Sequence, residues 1–133
     1  MLQHGFVRVA AGIPRLRVAD CAFNVGRLLG LLDQAEAQSV HVLAFPELAI
    51  TSYTCGDLFH QTVLQKAALE GLDQLLAESE RRFSGVFIVG VPWLIADQLY
   101  NCAAVCHKGQ VLGVVPKTYL TNYKEFYEAR WFT

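Results

Sequence analysis

Short strand-like runs alternate with long amphipathic segments in the first part of this chain. Phe6 to Ile13, Val40 to Phe45 and Val86 to Val91 are rich in apolar and β-branched residues, and Pro14 and Pro46 follow the first two runs. Such runs are typical of buried strands. Strands that alternate with helices usually pair in parallel, because each crossover helix returns the chain to the same end of the sheet. This order predicts an α/β fold.

Two segments have the periodicity of amphipathic helices. The first begins after Asp20, which can cap it, and the second runs from Thr62 to about Arg82, with Gly85 beyond its end. Apolar residues recur in both at three- and four-residue steps, so each helix should bury one face. The predicted buried positions are Val25, Leu28, Leu29, Leu32 and Ala35 in the first helix, and Leu64, Ala68, Leu72, Leu75, Leu76 and Ser79 in the second.

The later part of the chain predicts antiparallel pairing. Leu99 to His107 and Val111 to Val115 are two strand-like runs joined through Lys108-Gly109-Gln110, a short connection that contains glycine. Such a connection is typical of a β-hairpin. The predicted order is therefore strand, helix, strand, helix and three further strands.

Composition limits the classes of function. Hydrophobic residues make up 53% of the 133 residues and charged residues 17%, which excludes an intrinsically disordered chain. The formal net charge is −1 without any basic block, which argues against nucleic-acid and membrane-surface partners. The longest apolar stretch is too short to span a bilayer, the N-terminus lacks the pattern of a signal peptide, and the four cysteines lack the dense spacing of a disulfide scaffold. We therefore expect a cytoplasmic protein with free thiols.

Three charged residues stand where chemistry could be placed. Glu47 follows a predicted strand, at the position where open α/β sheets bind ligands, and could act as a general base. Lys117 also follows a strand and could stabilise an oxyanion, while Glu125 could hold that lysine charged and oriented. Taken singly, each residue has a simpler interpretation: a solvated glutamate, a lysine extending from a strand end, and half of a surface ion pair.

The cysteines offer weaker candidates. Cys102, Cys106 and His107 contain ligand types that zinc prefers, but they do not make up a full set, so small buried thiols are favoured and no metal site is predicted. Cys55 could be a loop nucleophile, although no histidine is spaced as its base. The chain contains no Gly-x-Gly-x-x-Gly, Walker A or Gly-x-Ser-x-Gly motif, so nucleotide binding by this segment is unsupported.

Three longer strings have distinctive residue combinations. They are FPELAITSYTCGDLF at Phe45 to Phe59, LYNCAAVCHKGQVLGVVPK at Leu99 to Lys117 and TYLTNYKEFYEARWF at Thr118 to Phe132. Together they resemble the nitrilase, or carbon–nitrogen hydrolase, superfamily, and within it the N-terminal glutaminase domains of glutamine-dependent NAD synthetases. The opening segment from His4 to Val25 fits the same group, so the resemblance covers nearly the whole chain.

The resemblance implies an α-β-β-α sandwich with a Glu–Lys–Cys triad, of which residues 1–133 would form the leading part. By resemblance, Glu47 is the general base, Lys117 stabilises the tetrahedral intermediate and Glu125 is the second glutamate that supports the lysine. Tyr53 and Tyr123 match positions that shape the glutamine pocket. The chain departs from the group at Thr121, where the synthetases commonly carry proline.

The resemblance also implies what lies outside these residues. The family's nucleophilic cysteine follows the lysine, and no cysteine follows Lys117 here, so we expect it further along the protein and expect residues 1–133 alone to be inactive. ATP and Mg are expected only in a downstream synthetase domain that amidates nicotinic acid adenine dinucleotide. The expected partners are glutamine, the rest of the glutaminase domain, the synthetase domain and further copies in a homo-oligomer. Two alternatives stay open: a stand-alone amidase for another small amide, and a non-catalytic half-sandwich module.

Overall fold

A computed structural model describes residues 4–133, which form one five-stranded sheet with two helices. The strands are β1 (Val9–Ala11), β2 (Val42–Ala44), β3 (Val86–Ile95), β4 (Gln98–His107) and β5 (Gln110–Pro116), and the helices are α1 (Cys21–Ala37) and α2 (Thr62–Arg82). Two short 3₁₀ helices, Gly56–His60 and Glu128–Arg130, lie before α2 and near the end of the chain. This mixed α/β architecture is the predicted fold class.

The sheet keeps the strands in sequence order. β1, β2 and β3 pair in parallel, whereas β3, β4 and β5 pair in antiparallel fashion. The two crossovers of the parallel part carry α1 and α2, and these helices pack against each other on one face of the sheet. The predicted hairpin is confirmed, because Lys108 and Gly109 both have positive φ in a two-residue turn between β4 and β5.

The predicted helices are confirmed, and their burial follows the periodicity. The Asp20 side chain caps α1 by accepting a hydrogen bond from the Phe23 amide at 3.1 Å. All five predicted apolar positions of α1 are buried, and α2 buries every predicted position except Leu76, which is partly buried. Between the helices and the sheet, Phe87, Val89 and the other inward residues of β3 and β4 complete one core.

The prediction of a buried first strand is wrong. Only Val9–Ala11 of the predicted run pair with β2, and Val9 is 69% exposed while Ile13 is 75% exposed. β1 is an edge strand, in which Ala10 packs against the core while Val9 and Ala11 are exposed. β3 also runs further than predicted, through Gly90 and Pro92 to Ile95, because β4 pairs with it over its whole length.

Side-chain alternation gives the sheet two different faces. In β3 and β4, Val89, Val91, Cys102 and Ala104 face the helices, and the residues between them face the other side. Asn101 belongs to this second face, as does Val115 of β5, which is 60% exposed. The carboxyl ends of β2 and β5 lie at the same edge of the sheet, and the side chains that follow these strands form the candidate site there.

Candidate active site

Lys117 is the centre of a group of charged side chains that come from distant parts of the chain. It directly follows β5, and its backbone N–H donates to the Asn101 carbonyl at 2.7 Å, which continues the pairing with β4. Its ammonium contacts Glu47 Oε1 at 2.9 Å and both carboxylate oxygens of Glu128, at 3.0 and 2.9 Å. The structure therefore brings the two predicted residues Glu47 and Lys117 together.

The position of Glu47 depends on a tight turn after β2. Leu48 in this turn has a φ of +53°, and the Ile50 amide donates to the Gly90 carbonyl at 3.3 Å. A side chain at Gly90 would collide with the backbone of residues 46–48, so β3 approaches the turn as closely as it does only because residue 90 is glycine. This close approach sets the point from which Glu47 extends.

Asn101 is a polar contact that the sequence analysis did not single out. Its side-chain amide donates to Glu47 Oε1 at 2.5 Å, and the residue is only 4% exposed. The available signal was its presence in an otherwise apolar strand, because a buried amide needs a hydrogen-bond partner. Glu47 Oε1 therefore accepts from Asn101 and Lys117 together.

Glu125 does not occupy the position predicted for it, and this prediction is corrected. The carboxylate against Lys117 belongs to Glu128, which is 2% exposed, whereas Glu125 is exposed on the preceding loop. Glu128 points inward because its backbone N–H donates to the Thr121 carbonyl at 3.0 Å, which closes the loop between them. In that closed loop residue 128, three positions after Glu125, is the one that faces the lysine.

A surface ion pair holds the segment that carries Glu128. The Arg130 guanidinium donates two hydrogen bonds to Asp57 in the first 3₁₀ helix, at 2.7 and 2.9 Å, and the Trp131 indole donates a third at 2.9 Å. These hydrogen bonds keep the pKa of Asp57 well below its usual range. The Phe59 ring also packs against the rings of Trp131 and Phe132. The chain following Glu128 is thus fastened beside the start of α2.

The two predicted pocket tyrosines have different surroundings. The Tyr53 hydroxyl donates to Glu128 Oε1 at 3.3 Å, and its ring packs edge-on against Phe126. Tyr123 is 66% exposed on the loop after Lys117. Of these two tyrosines, Tyr53 is the one that makes a hydrogen bond to the charged group.

Electrostatic interactions favour the charged forms of Lys117 and Glu128. Burial acts to lower the pKa of Lys117, but hydrogen bonds with Glu47 and Glu128 outweigh it and raise this pKa above its ordinary value of 10.5. Burial acts to raise the pKa of Glu128, and the hydrogen bonds and charge of Lys117 outweigh it, so this pKa falls below 4.5. Burial, followed by the charges of Glu128 and Glu47, raises the pKa of Tyr53. The ammonium form of Lys117 and the carboxylate form of Glu128 are therefore both favoured.

A cavity of about 310 Å³ opens beside these groups. Its wall includes Glu47, Asn101 and Lys117, together with Ile88 and Val115 from the second face of the sheet. A second cavity of about 260 Å³ is lined by Tyr53, Glu125 and aromatic residues of the final segment. A ligand in the first cavity would touch both the carboxylate of Glu47 and the ammonium of Lys117.

The four cysteines are buried and free. Burial raises the pKa of each thiol, to about 11 for Cys21 and about 12 for Cys106, and this disfavours the nucleophilic thiolate. Cys102 and Cys106 both face the helices, as expected for core thiols. Across residues 4–133, no three His, Cys, Asp or Glu side chains gather in a way that could hold a metal ion. Neither helix in this part of the chain is long and apolar enough to cross a membrane.

Comparisons with known proteins identify the family of this chain and its relatives. The carbon–nitrogen hydrolase family profile matches residues 8–131. A glutamine-dependent NAD(+) synthetase of Mycobacterium tuberculosis is 40% identical over 128 residues, which are 96% of this chain and 19% of that protein. The chain thus spans about a fifth of the length of this curated relative.

Solved structures extend the comparison to the fold. A glutamine-dependent NAD(+) synthetase from Cytophaga hutchinsonii superimposes with a TM-score of 0.89 at 31% identity, over 96% of this chain and 21% of that one. A nitrilase-superfamily amidase from Nesterenkonia AN1 has a TM-score of 0.82 at 19% identity, over 96% of this chain and 47% of the amidase chain. The second likeness concerns the fold alone, and in both cases the matched region is a fragment of a larger unit.

Proposed function

Because the chain belongs to the carbon–nitrogen hydrolase family, we propose that it supplies part of a glutaminase site which releases ammonia from glutamine for NAD synthesis. The observation that carries this proposal is the contact of Lys117 with Glu47 and Glu128 at the edge of an open cavity. The likeness to glutamine-dependent NAD(+) synthetases supports glutamine as the amide and NAD synthesis as the use of the ammonia. The acceptor in this proposal, nicotinic acid adenine dinucleotide, is the one that the family resemblance implies. The ATP-dependent step belongs to the rest of that protein.

In this proposal the nucleophile is a cysteine outside residues 1–133. The thiols within the chain are buried, and their raised pKa values make them poor candidates. The cysteine S–H bond breaks, Glu47 takes the proton, and the sulfur electron pair forms a bond to the amide carbon. Glu47 then returns the proton to the departing nitrogen as the C–N bond breaks. Water hydrolyses the resulting thioester, which gives glutamate and restores the thiol.

Lys117 stabilises the oxyanion that forms when sulfur attacks the carbonyl. Before attack, its ammonium is attracted by two carboxylates. Protonation of Glu47 removes one of those negative charges in the same step that creates negative charge on the carbonyl oxygen. The ammonium therefore becomes available to the oxyanion when it is needed, while Glu128 keeps it charged and in place. Removal of one such donor typically costs about 3–4 kcal/mol of transition-state stabilisation.

The other predicted residues take secondary roles in the proposal. Tyr53 and Tyr123 shape the glutamine pocket, with Tyr53 fixed by its hydrogen bond to Glu128. The support of the lysine, predicted for Glu125, passes to Glu128, which makes the contact.

The test is Glu47→Gln in the full-length protein. Glutamine keeps the shape of the side chain but cannot accept a proton, so glutamine-dependent product formation should be lost while ammonia-dependent synthesis survives. The assay measures product with each nitrogen source in turn. Wild-type use of glutamine by this variant would remove Glu47 from the mechanism. If the wild-type protein hydrolysed other small amides in preference to glutamine, the amidase alternative would be favoured.

A further inference from the structure

Asn101 connects the two charged residues of the proposed mechanism. Its side-chain amide donates to Glu47 Oε1 at 2.5 Å, and its backbone carbonyl accepts the Lys117 N–H at 2.7 Å. Only the amide nitrogen of an asparagine can donate to a carboxylate, so the orientation of the Asn101 side chain is fixed by chemistry. A buried amide in an apolar strand is costly unless it is hydrogen-bonded, and here its partner is a charged group.

The two donors on Glu47 share one oxygen. Each carboxylate oxygen has two lone pairs for strong hydrogen bonds, and those of Oε1 are taken by Asn101 and Lys117. A proton placed on Oε1 would point against one of these N–H groups. A proton on Oε2 meets no such conflict, because Oε1 then serves as the carbonyl oxygen, keeps the hydrogen bond from Asn101 and holds Lys117 more weakly.

On the basis of the proposed glutaminase function, we infer that Asn101 is a positioning residue that assigns the two oxygens of Glu47 to different tasks. Oε1 anchors the side chain, and Oε2 takes the thiol proton and later gives it to the departing nitrogen. The S–H bond breaks as the O–H bond forms on Oε2, and that O–H bond breaks again as ammonia leaves. The site returns to its starting state after each turnover.

A neutral donor is suited to this role. The polar and charged groups around Glu47 are Lys117 after β5, Glu128 in the second 3₁₀ helix, Tyr53 in the loop after β2 and Asn101 in β4. The attraction of Lys117 for Glu47 changes when the carboxylate is protonated. The amide of Asn101 carries no charge, and it can donate both to a carboxylate oxygen and, more weakly, to the carbonyl oxygen of a carboxylic acid. It can therefore hold the orientation of Glu47 through both proton transfers.

The experiment compares Asn101→Asp and Asn101→Ala in the full-length protein. Asn101→Asp keeps the shape but replaces the donor with an acceptor, while Asn101→Ala removes the contact without adding a charge. Each variant should lower glutamine-dependent kcat about 100-fold, change the KM for glutamine by no more than about two-fold and leave ammonia-dependent synthesis unchanged. In Asn101→Asp the acidic side of the pH–rate profile should also move to higher pH, since two adjacent carboxylates resist joint ionisation.

Tyr100→Phe is the matched control. It lies on the same strand and loses one side-chain hydrogen bond, which Tyr100 donates to Gln98 at 2.7 Å, so its rates should equal those of the wild type. Wild-type kcat in both Asn101 variants would overturn the inference. Equal losses of the glutamine- and ammonia-dependent rates would overturn it as well, since they would indicate a purely structural role.

A second measurement separates this inference from the proposed function. Alkylation of the nucleophilic cysteine by iodoacetamide needs a proton acceptor but no glutamine, and it should be about 100-fold slower in Asn101→Ala than in the wild type. A protein that hydrolyses no glutamine yet shows this difference would contradict the proposed substrate and support the role of Asn101. Equal alkylation rates would overturn the role of Asn101 whatever the substrate.

Discussion

Replacement of Gly90 by alanine should displace Glu47 without replacing any side chain that contacts it. The new Cβ would lie 2.9 Å from the Pro46 carbonyl oxygen and from the Glu47 carbonyl carbon, and closer still to the Leu48 amide nitrogen. Because non-bonded atoms rest roughly 3.5–4.0 Å apart, the two 2.9 Å contacts alone require a retreat of about 0.6 Å, and the Leu48 nitrogen must move further. The hydrogen bonds from Asn101 and Lys117 to Glu47 would then lengthen.

The expected magnitudes follow from this displacement. Overpacking of this kind typically costs about 1–3 kcal/mol of stability, and a misplacement near 1 Å can lower catalysis by about 100-fold. We expect Gly90→Ala in the full-length protein to lose most glutamine-dependent activity, to retain ammonia-dependent synthesis and to exchange amide hydrogens faster over residues 45–51. Steady-state kinetics with each nitrogen source and hydrogen exchange with mass spectrometry give these quantities.

Gly26→Ala is the matched control for this substitution. Gly26 lies in α1, and a Cβ there would meet nothing within 4 Å, so alanine should stabilise the helix by up to about 1 kcal/mol. Gly90→Ala with wild-type glutamine turnover and unchanged exchange would refute the argument that the close approach of β3 positions Glu47. Similar losses in Gly26→Ala would show that the assay responds to any added methyl group.

Three further predictions concern the charged group. Lys117→Ala should abolish glutamine hydrolysis and keep the far-UV circular dichroism spectrum, while the thermal midpoint falls because the buried Glu128 carboxylate loses its partner; loss of the spectrum itself would make the residue structural. Glu128→Gln should reduce glutamine-dependent kcat by about 100-fold whereas Glu125→Gln should not, and the reverse result would restore the original assignment. Since the pKa of Glu128 is lower in the folded protein, its ion pair should stabilise the fold above pH 4.5 and be lost as the pH falls below that value. The free energy of unfolding should therefore depend less on pH in the acid range in Glu128→Gln than in the wild type. Identical pH dependences would contradict a contribution of the pair to stability.

Local patterns predicted the regular elements well. The 3.6-residue spacing of apolar residues and the position of Asp20 located the helices, and Lys108-Gly109 located the hairpin, because these signals depend on neighbouring residues. Glu47 and Lys117 could be placed because both follow strands and so reach one end of the sheet.

The remaining features depend on contacts between distant residues. The segment after Lys117 has no periodicity, so spacing could not tell Glu125 from Glu128, and the choice is made by the Thr121 hydrogen bond and the Asp57–Arg130 ion pair. The exposure of β1 depends on what covers the edge of the sheet, which its own sequence does not encode. Asn101 left a visible signal as a polar residue in an apolar strand, but its partner lies 54 positions away.

The wide sequence separation of these contacts has a consequence for the order in which the protein folds. Glu47 and Lys117 lie 70 positions apart, and Asp57 and Arg130 lie 73 apart. Closing a loop of such length costs about 4 kcal/mol of chain entropy, and isolated contacts at the surface cannot supply it. The helices and central strands must therefore bring these residues close together first. On a ribosome, Glu47 would emerge well before the lysine and the second carboxylate that neutralise and orient it, so the charged group is among the last parts of this chain to assemble.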